Sequence, residues 1–377
     1  MKITEKPELG PFMTFEASKE KPVHGWFWYK EGYAPEIVQY CAKDSGAKEV
    51  IDPFCGVGTT LLACKEMGIS SVGIDASPLA VFVSRAKTED YEESDLQAAE
   101  EFIRKPLPPA PDTAWDFELF PARAAFPRRN YGEILQLRHA IEQEEGRVRN
   151  LLLLALLSVL PQASIVLKDG GVLKIMKDKK ALPAREIFKR KVKRMARELR
   201  GRPAGHEPEV FLGDARGLDL EGECAGAVIT SPPYLNNIDY SKIYGLELSL
   251  LAMSRAEAEQ VRLRSIRSFI GRDMKVQEMP PEVGEIGSAI PIIGTYFRDM
   301  ELALIEMHRV LKRGGAAYVI VSNSVIHETH VMVDEIFAEM GERIGFSGCE
   351  IAVGAERIAD VRPQKVRTRE SIVILRK

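Results

Sequence analysis

The chain has 377 residues, of which 45% are hydrophobic and 28% charged, with a formal net charge of −3 at pH 7. This is the composition of an ordinary globular protein, large enough for one domain with an insertion or for two modest domains. The longest apolar run, 151 to 160, is too short to span a bilayer, and the start Met-Lys-Ile-Thr-Glu lacks a secretory leader, so a cytoplasmic protein without a membrane is expected.

Cysteines at 41, 55, 64, 224 and 349 form no CxxC pair, so neither a zinc site nor a disulfide framework is expected. In chain order, short β-rich runs at 49–52, 71–75, 209–212, 225–230, 316–322, 350–353 and 371–375 alternate with helical patterns. That alternation predicts a parallel α/β sheet.

The first run leads into Asp52-Pro-Phe-Cys-Gly-Val-Gly-Thr-Thr60, a strand, a glycine turn and a helix start. Glycines let the backbone approach a ligand, and the helix start offers unpaired N–H groups. A nucleotide-like ligand is therefore expected against Asp52, Phe54, Cys55, Gly56, Gly58, Thr59 and Thr60. The next strand ends at Asp75-Ala76, about twenty residues on, the spacing of a carboxylate that accepts ribose hydroxyls. Capping the following helix is its competing role.

Residues 87–206 are too many for a simple crossover and predict a mainly helical insertion, dividing the chain into 1–86, 87–206 and 207–377. The insertion opens with seven acids between 89 and 101, continues through a proline-rich 106–111, and carries helical patterns at 131–160 and 184–200. In the second of these, Phe188, Val192, Met195 and Leu199 recur at helical spacing and face the body. The opposite face, with Lys189, Arg190, Lys193 and Arg197, suits a phosphate backbone; a solvated surface is the alternative reading. Arg357, Arg362, Lys365, Arg367 and Arg369 form a second basic patch.

The strand 225–230 runs directly into Ser231-Pro232-Pro233-Tyr234, at the carboxyl end where α/β sites lie. Two prolines stiffen the loop, so the Ser231 hydroxyl and the Pro232 carbonyl are held as acceptors for an exocyclic amine. Gripping both hydrogens favours a pyramidal nitrogen with an available lone pair. Tyr234 offers a flat face to a base taken out of its stack. Asn236, Asn237, Asp239 and Tyr240 follow closely and are candidates to shape the pocket or read a base edge, while 264–294 reads as a substrate-side loop. His327 and His330 read as surface or capping residues, since this chemistry needs no histidine base.

The stretches 50–60, 72–78 and 228–234 resemble the S-adenosylmethionine-dependent amino-methyltransferases of cytosine N4 and adenine N6. The resemblance implies an α/β, Rossmann-like seven-stranded class I sheet, with the insertion between strands 2 and 3, and S-adenosylmethionine as cofactor. Within that family a leading serine is more typical of cytosine-N4 enzymes. The aromatic stretch 24–35 is similar to the family element lying over the methionine part of the cofactor, which adds Trp28, Lys30 and Tyr33; Trp26 and Trp28 also suit core packing. Phe211-Leu-Gly-Asp214 resembles the strand end that contacts the adenine amine, adding Asp214 and Ala215. With no separate recognition domain evident after the tetrad, the chain looks most like archaeal small-subunit rRNA cytidine-N4 methyltransferases. Structured RNA is therefore the expected partner, DNA of a modification system the alternative, and a non-catalytic RNA-binding assembly factor a remote third. No feature of the sequence fixes an oligomeric state.

Overall fold

The computed structural model describes residues 1–29, 32–109, 122–169, 171–236, 238–251, 255–268, 278–361 and 364–377. Its strands are β1 (Lys2–Glu5), β2 (Glu49–Asp52), β3 (Ser70–Asp75), β4 (Val166–Asp169), β5 (Val172–Ile175), β6 (Glu209–Leu212), β7 (Ala225–Thr230), β8 (Leu311–Ser322), β9 (Ser324–Ile326), β10 (Thr329–Val331), β11 (Gly348–Val361) and β12 (Gln364–Arg376). The main sheet has eight strands in the order β1-β11-β12-β8-β7-β2-β3-β6. Only β12 runs antiparallel to its neighbours. The fold is a Rossmann-like α/β sheet, with one strand more than the expected seven. The extra strand is β1, which pairs with residues Glu350 to Val353 of β11; four mostly exposed residues show no periodicity by which a sequence could announce it.

From β2 the chain proceeds outward through β3 to β6, then returns to β7 on the other side of β2. The carboxyl ends of β2 and β7 therefore meet at a topological switch point, where an open sheet leaves a crevice for a ligand. Apolar strand residues fill both faces. Helices Pro291–Val310 and Val333–Ile344 cover one, and helices Pro35–Ser45 and Thr59–Glu66 the other.

Between β3 and β6 the chain forms helices and the β4–β5 hairpin. The expected boundary at 86/87 falls inside helix Pro78–Thr88. Helices Arg128–Ile141, Gly146–Ala163 and Ala184–Leu199 share one apolar core with Trp26, Phe27, Leu62, Leu79 and Val83, so this region and the N-terminal segment bury each other. The single helical pattern read at 131–160 is two helices because the chain turns at Gly146, which sits at φ +54°. Helix Pro291–Val310 begins at a proline, whose fixed φ suits a first turn. The basic residues and glycines at 312–315 lie within β8, beside a register shift against β7. Among the described residues no helix is long and apolar enough to cross a membrane.

The β3 residue Gly73 is a point of close approach. A Cβ there would lie 2.5 Å from Leu61 Cδ1 and 3.0 Å from Cys55 Cβ. Gly73→Ala is expected to cost about 1–3 kcal/mol, since overpacked cores must shift backbone or rotamers. Chemical denaturation of the two proteins measures it, and equal stability would show that the turn yields freely.

Candidate active site

Beyond β2 the chain must reverse tightly to start helix Thr59–Glu66. It does so with Gly56 at φ +50° and Gly58 at φ +74°, a region costly for residues with a Cβ. A side chain at Gly58 would also stand 2.9 Å from Ser84 Oγ.

Asp52, at the end of β2, is buried. Its Oδ1 accepts from Thr230 Oγ1 at 2.6 Å and from the Phe54 N–H at 3.1 Å, and its Oδ2 accepts from the Tyr33 hydroxyl at 3.3 Å. Tyr33 also bonds Thr60, whose hydroxyl reaches the Ile229 carbonyl. Burial pushes the Asp52 carboxyl up to about 6, with the Thr230 hydrogen bond opposing. Asp52, Tyr33 and Thr60, expected to touch the ligand, thus form the polar joint beneath the turn. Cys55 and Thr59 are buried beside them.

The cleft above is lined by Phe54, Gly56, Asp75, Ala76, Asp214, Ala215, Ser231, Pro232, Pro233, Asp239 and Tyr240, all expected from the sequence. Asp75 Oδ2 accepts from the Gly56 N–H at 2.9 Å and Oδ1 from the Ser77 N–H at 2.8 Å. Ser77, not Asp75, caps helix Pro78–Thr88. Burial raises the Asp75 carboxyl to about 6, against the pull of those backbone N–H groups. Asp214 is held by Arg216 at 2.7 Å, and Arg216 is tied in turn to buried Asp299.

In the tetrad, the Ser231 hydroxyl donates to the Ile320 carbonyl of β8 at 3.2 Å. Its hydrogen is therefore engaged, and its lone pairs are what it offers the cleft. Tyr234 is half-buried and does not line the cleft. Asn236 Oδ1 accepts from the Ile238 N–H at 3.2 Å, a turn-forming role. Asp239 caps helix Tyr240–Ile243 and pairs with Arg262 at 3.1 Å.

The sequence missed Tyr29, Tyr244, Arg262 and Arg264, which also line the cleft. Tyr29 stacks on Tyr244 with ring centroids 4.9 Å apart and on Tyr240 at 6.1 Å. Trp28, expected over the cofactor, instead lines a neighbouring hollow with Phe27 and Leu167. Trp26 is core, its Nε1 donating to Glu198 at 2.7 Å. Lys30 and Asn237 lie outside the described residues.

Lys189, Arg190, Lys193 and Arg197 do not line the cleft; they sit on helix Ala184–Leu199, with Arg190, Lys193 and Arg197 exposed and Lys189 half-buried. Its neighbouring cations have structural partners: Lys191 bonds the Trp26 carbonyl, Arg194 pairs with Glu198, and Arg200 pairs with Glu93 and Glu100. The acidic run thus neutralises one end of the basic helix. In the C-terminal patch Arg357, Arg367 and Arg369 pair with Glu370, Glu356 and Asp334; Arg362 lies outside the described residues, and so does the Lys365 side chain.

The donor set fits S-adenosylmethionine. Asp75 ends β3 and Asp214 stands just beyond the adjacent β6, where they can accept from hydroxyl and amine groups. Gly56, Phe54 and Tyr29 line the same cleft, and a Cβ at Gly56 would stand 3.3 Å from the Tyr29 ring. Among the described residues no His, Cys, Asp and Glu cluster could hold a metal ion.

Residues 34–84, spanning helix Pro35–Ser45, the glycine turn and Asp75, match the N6/N4 methyltransferase family, described as DNA methylase. The Type II methyltransferase M.AvaI of Nostoc is 26% identical over 403 aligned positions, covering 90% of this chain and 82% of that one. The Type II methyltransferase M.BsoBI of Geobacillus stearothermophilus is 24% identical, covering 97% and 87%. The Type II methyltransferase M.MjaII of Methanocaldococcus jannaschii is 40% identical over a shorter stretch of 84 residues, 22% of this chain and 16% of that one. The expected likeness to rRNA enzymes has no counterpart in these relatives, which favour the DNA alternative over the RNA reading. A chain that aligns over nearly its whole length with Type II methyltransferases, and that builds its cofactor turn in the segment matched by the family model, is an S-adenosylmethionine-dependent nucleic-acid methyltransferase.

Proposed function

We propose that this enzyme methylates an exocyclic amine of a base in DNA, cytosine N4, as the modification enzyme of a Type II system. The DNA reading is supported by the matched family's description as DNA methylase and by the Type II relatives. The amine reading rests on one observation, the Ser231 hydroxyl just beyond β7 donating to the Ile320 carbonyl, which leaves its lone pairs to accept from an amine.

Bound S-adenosylmethionine supplies an electrophilic methyl group on a sulfonium centre. The Ser231 oxygen and the Pro232 carbonyl accept the two amine hydrogens, drawing the nitrogen lone pair out of conjugation with the ring. No general base is required, because the cationic product nitrogen loses its proton readily to water. The contribution of the protein is position and fixed dipoles, and the base must leave the helix to reach them.

The assay incubates the enzyme with labelled cofactor and either duplex DNA or ribosomal RNA, followed by digestion to nucleosides. N4-methyldeoxycytidine is the expected product. N6-methyldeoxyadenosine would overturn the choice of base, and label confined to RNA the choice of polymer.

The raised Asp75 carboxyl also sets a pH dependence. Above about 6 it is ionised and accepts from ligand hydroxyls; below, it binds a proton and gives up that role. Cofactor affinity is thus expected to be full above pH 6 and to fall as pH drops through it, by about tenfold per unit at most. Calorimetric titrations between pH 5 and 8 measure this, and a flat profile would show that Asp75 does not bind the cofactor through its charge.

A further inference from the structure

The β4–β5 hairpin takes no part in this chemistry, yet it is built to meet something. Residues 166–180 hold five lysines and two aspartates. In the antiparallel register Val166 faces Ile175, Leu167 faces Lys174 and Lys168 faces Leu173. Val166 and Leu173 pack inward on the core shared with helix Gly146–Ala163. The other face turns outward. On it Leu167 and Val172 are 46% and 47% exposed; Ile175, opposite Val166, and Met176, which follows β5, are also exposed at the open end of the hairpin. Lys174 is exposed on this face, and Lys177 and Lys180 are exposed in the segment that follows β5, where Asp178 is exposed beside them.

The hairpin is docked against the wall of the catalytic cleft. Lys168 Nζ lies 2.7 Å from Glu247 Oε1 and 3.9 Å above the ring of Tyr244, which lines the cleft. Helix Tyr240–Ile243 packs against β5. On the same side, Trp28 is 41% exposed and shares a hollow with Leu167 and Lys168, while its neighbour Tyr29 faces the cleft.

Resting on the DNA reading above, we propose that the outer face of this hairpin, together with Trp28, is a DNA-contacting surface beside the target base. Lys174, Lys177 and Lys180 meet backbone phosphates. Leu167, Val172 and Trp28 press on the sugars and bases of the strand from which the target is drawn. A protein of net charge −3 needs a local cationic surface to hold a polyanion, and this one adjoins the cleft. Apolar side chains set among lysines are suited to a partner whose phosphates are charged and whose opened base steps are apolar.

The test uses the triple variant Lys174→Gln, Lys177→Gln, Lys180→Gln, and separately Trp28→Ala, on a duplex that the parent methylates. The triple variant is expected to flatten the slope of log Kd against log salt by up to about 2.7, since each phosphate contact contributes about 0.9. S-adenosylmethionine affinity should stay at the parent value, which also reports that the fold is intact. Trp28→Ala is expected to raise the duplex KM about tenfold with little change in salt slope, the size of one lost stacking contact. An unchanged slope and unchanged KM, in a parent that binds and methylates DNA, would overturn this proposal alone. So would a change of sedimentation behaviour with DNA binding unaltered, which would make the face a contact between copies of the chain. A parent that binds no duplex would overturn the DNA reading and this proposal with it.

Discussion

Replacing Asp75 by alanine is expected to weaken S-adenosylmethionine binding by about two to three orders of magnitude while the protein stays folded. Hydrogen bonds to a charged acceptor contribute about 1.5–3 kcal/mol each, and Asp75 has lone pairs for ligand hydroxyls beyond those that accept from Gly56 and Ser77. The alanine also leaves these two N–H groups without their acceptor, loosening the turn on which the ligand rests. One effect runs the other way: removing a desolvated carboxylate relieves the cost that raises its pKa, so the fold should not collapse. Calorimetry gives the affinity, and the rise in thermal midpoint at saturating cofactor, which follows mass action, checks it independently. An alanine variant that binds as tightly as the parent would remove the cofactor from this cleft.

Ser231→Ala is expected to lower kcat by about 10- to 100-fold with cofactor affinity unchanged. The lost acceptor acts on the nitrogen as it becomes pyramidal, so the deficit falls on the chemical step, at about 1.5–3 kcal/mol for a bond to a group gaining charge. The hydroxyl hydrogen already points to the Ile320 carbonyl, so the serine cannot turn to donate and compete with the amine. Single-turnover kinetics isolate this step. Parent-like rates in Ser231→Ala would eliminate the acceptor role, whereas loss of cofactor binding would mean that the strand end had shifted as a whole.

The strands of the sheet that build the cleft were legible because each is a short β-rich run ending in a chemically distinctive turn. Asp52, Asp75 and Ser231 all lie at or next to such ends. The division of labour among those residues was not legible. A carboxylate beside a glycine turn reads the same whether it faces a ligand, as Asp75 does, or the scaffold, as Asp52 does. Which of the aromatics at 26–29 enters the cleft depends on how the segment packs against helix Ala184–Leu199, a contact between residues more than 150 positions apart. The β4–β5 hairpin was invisible because its outward aliphatics break the alternation that marks a half-buried strand. The polymer was beyond local motifs altogether, since an amine-gripping tetrad carries no information about the sugar attached to the base.

Asp52 joins β2 to β7 through Thr230 and to the helix Pro35–Ser45 side through Tyr33. The strand ends of β2 and β7 that flank the cleft therefore share one buried reference point. Residues lining the cleft farther out, such as Arg262, Arg264 and Tyr240, sit on other segments and are not part of that joint. Substitutions at these positions are therefore expected to leave the Asp52–Thr230 joint intact, so that the lining of the cleft and the joint beneath it can change independently.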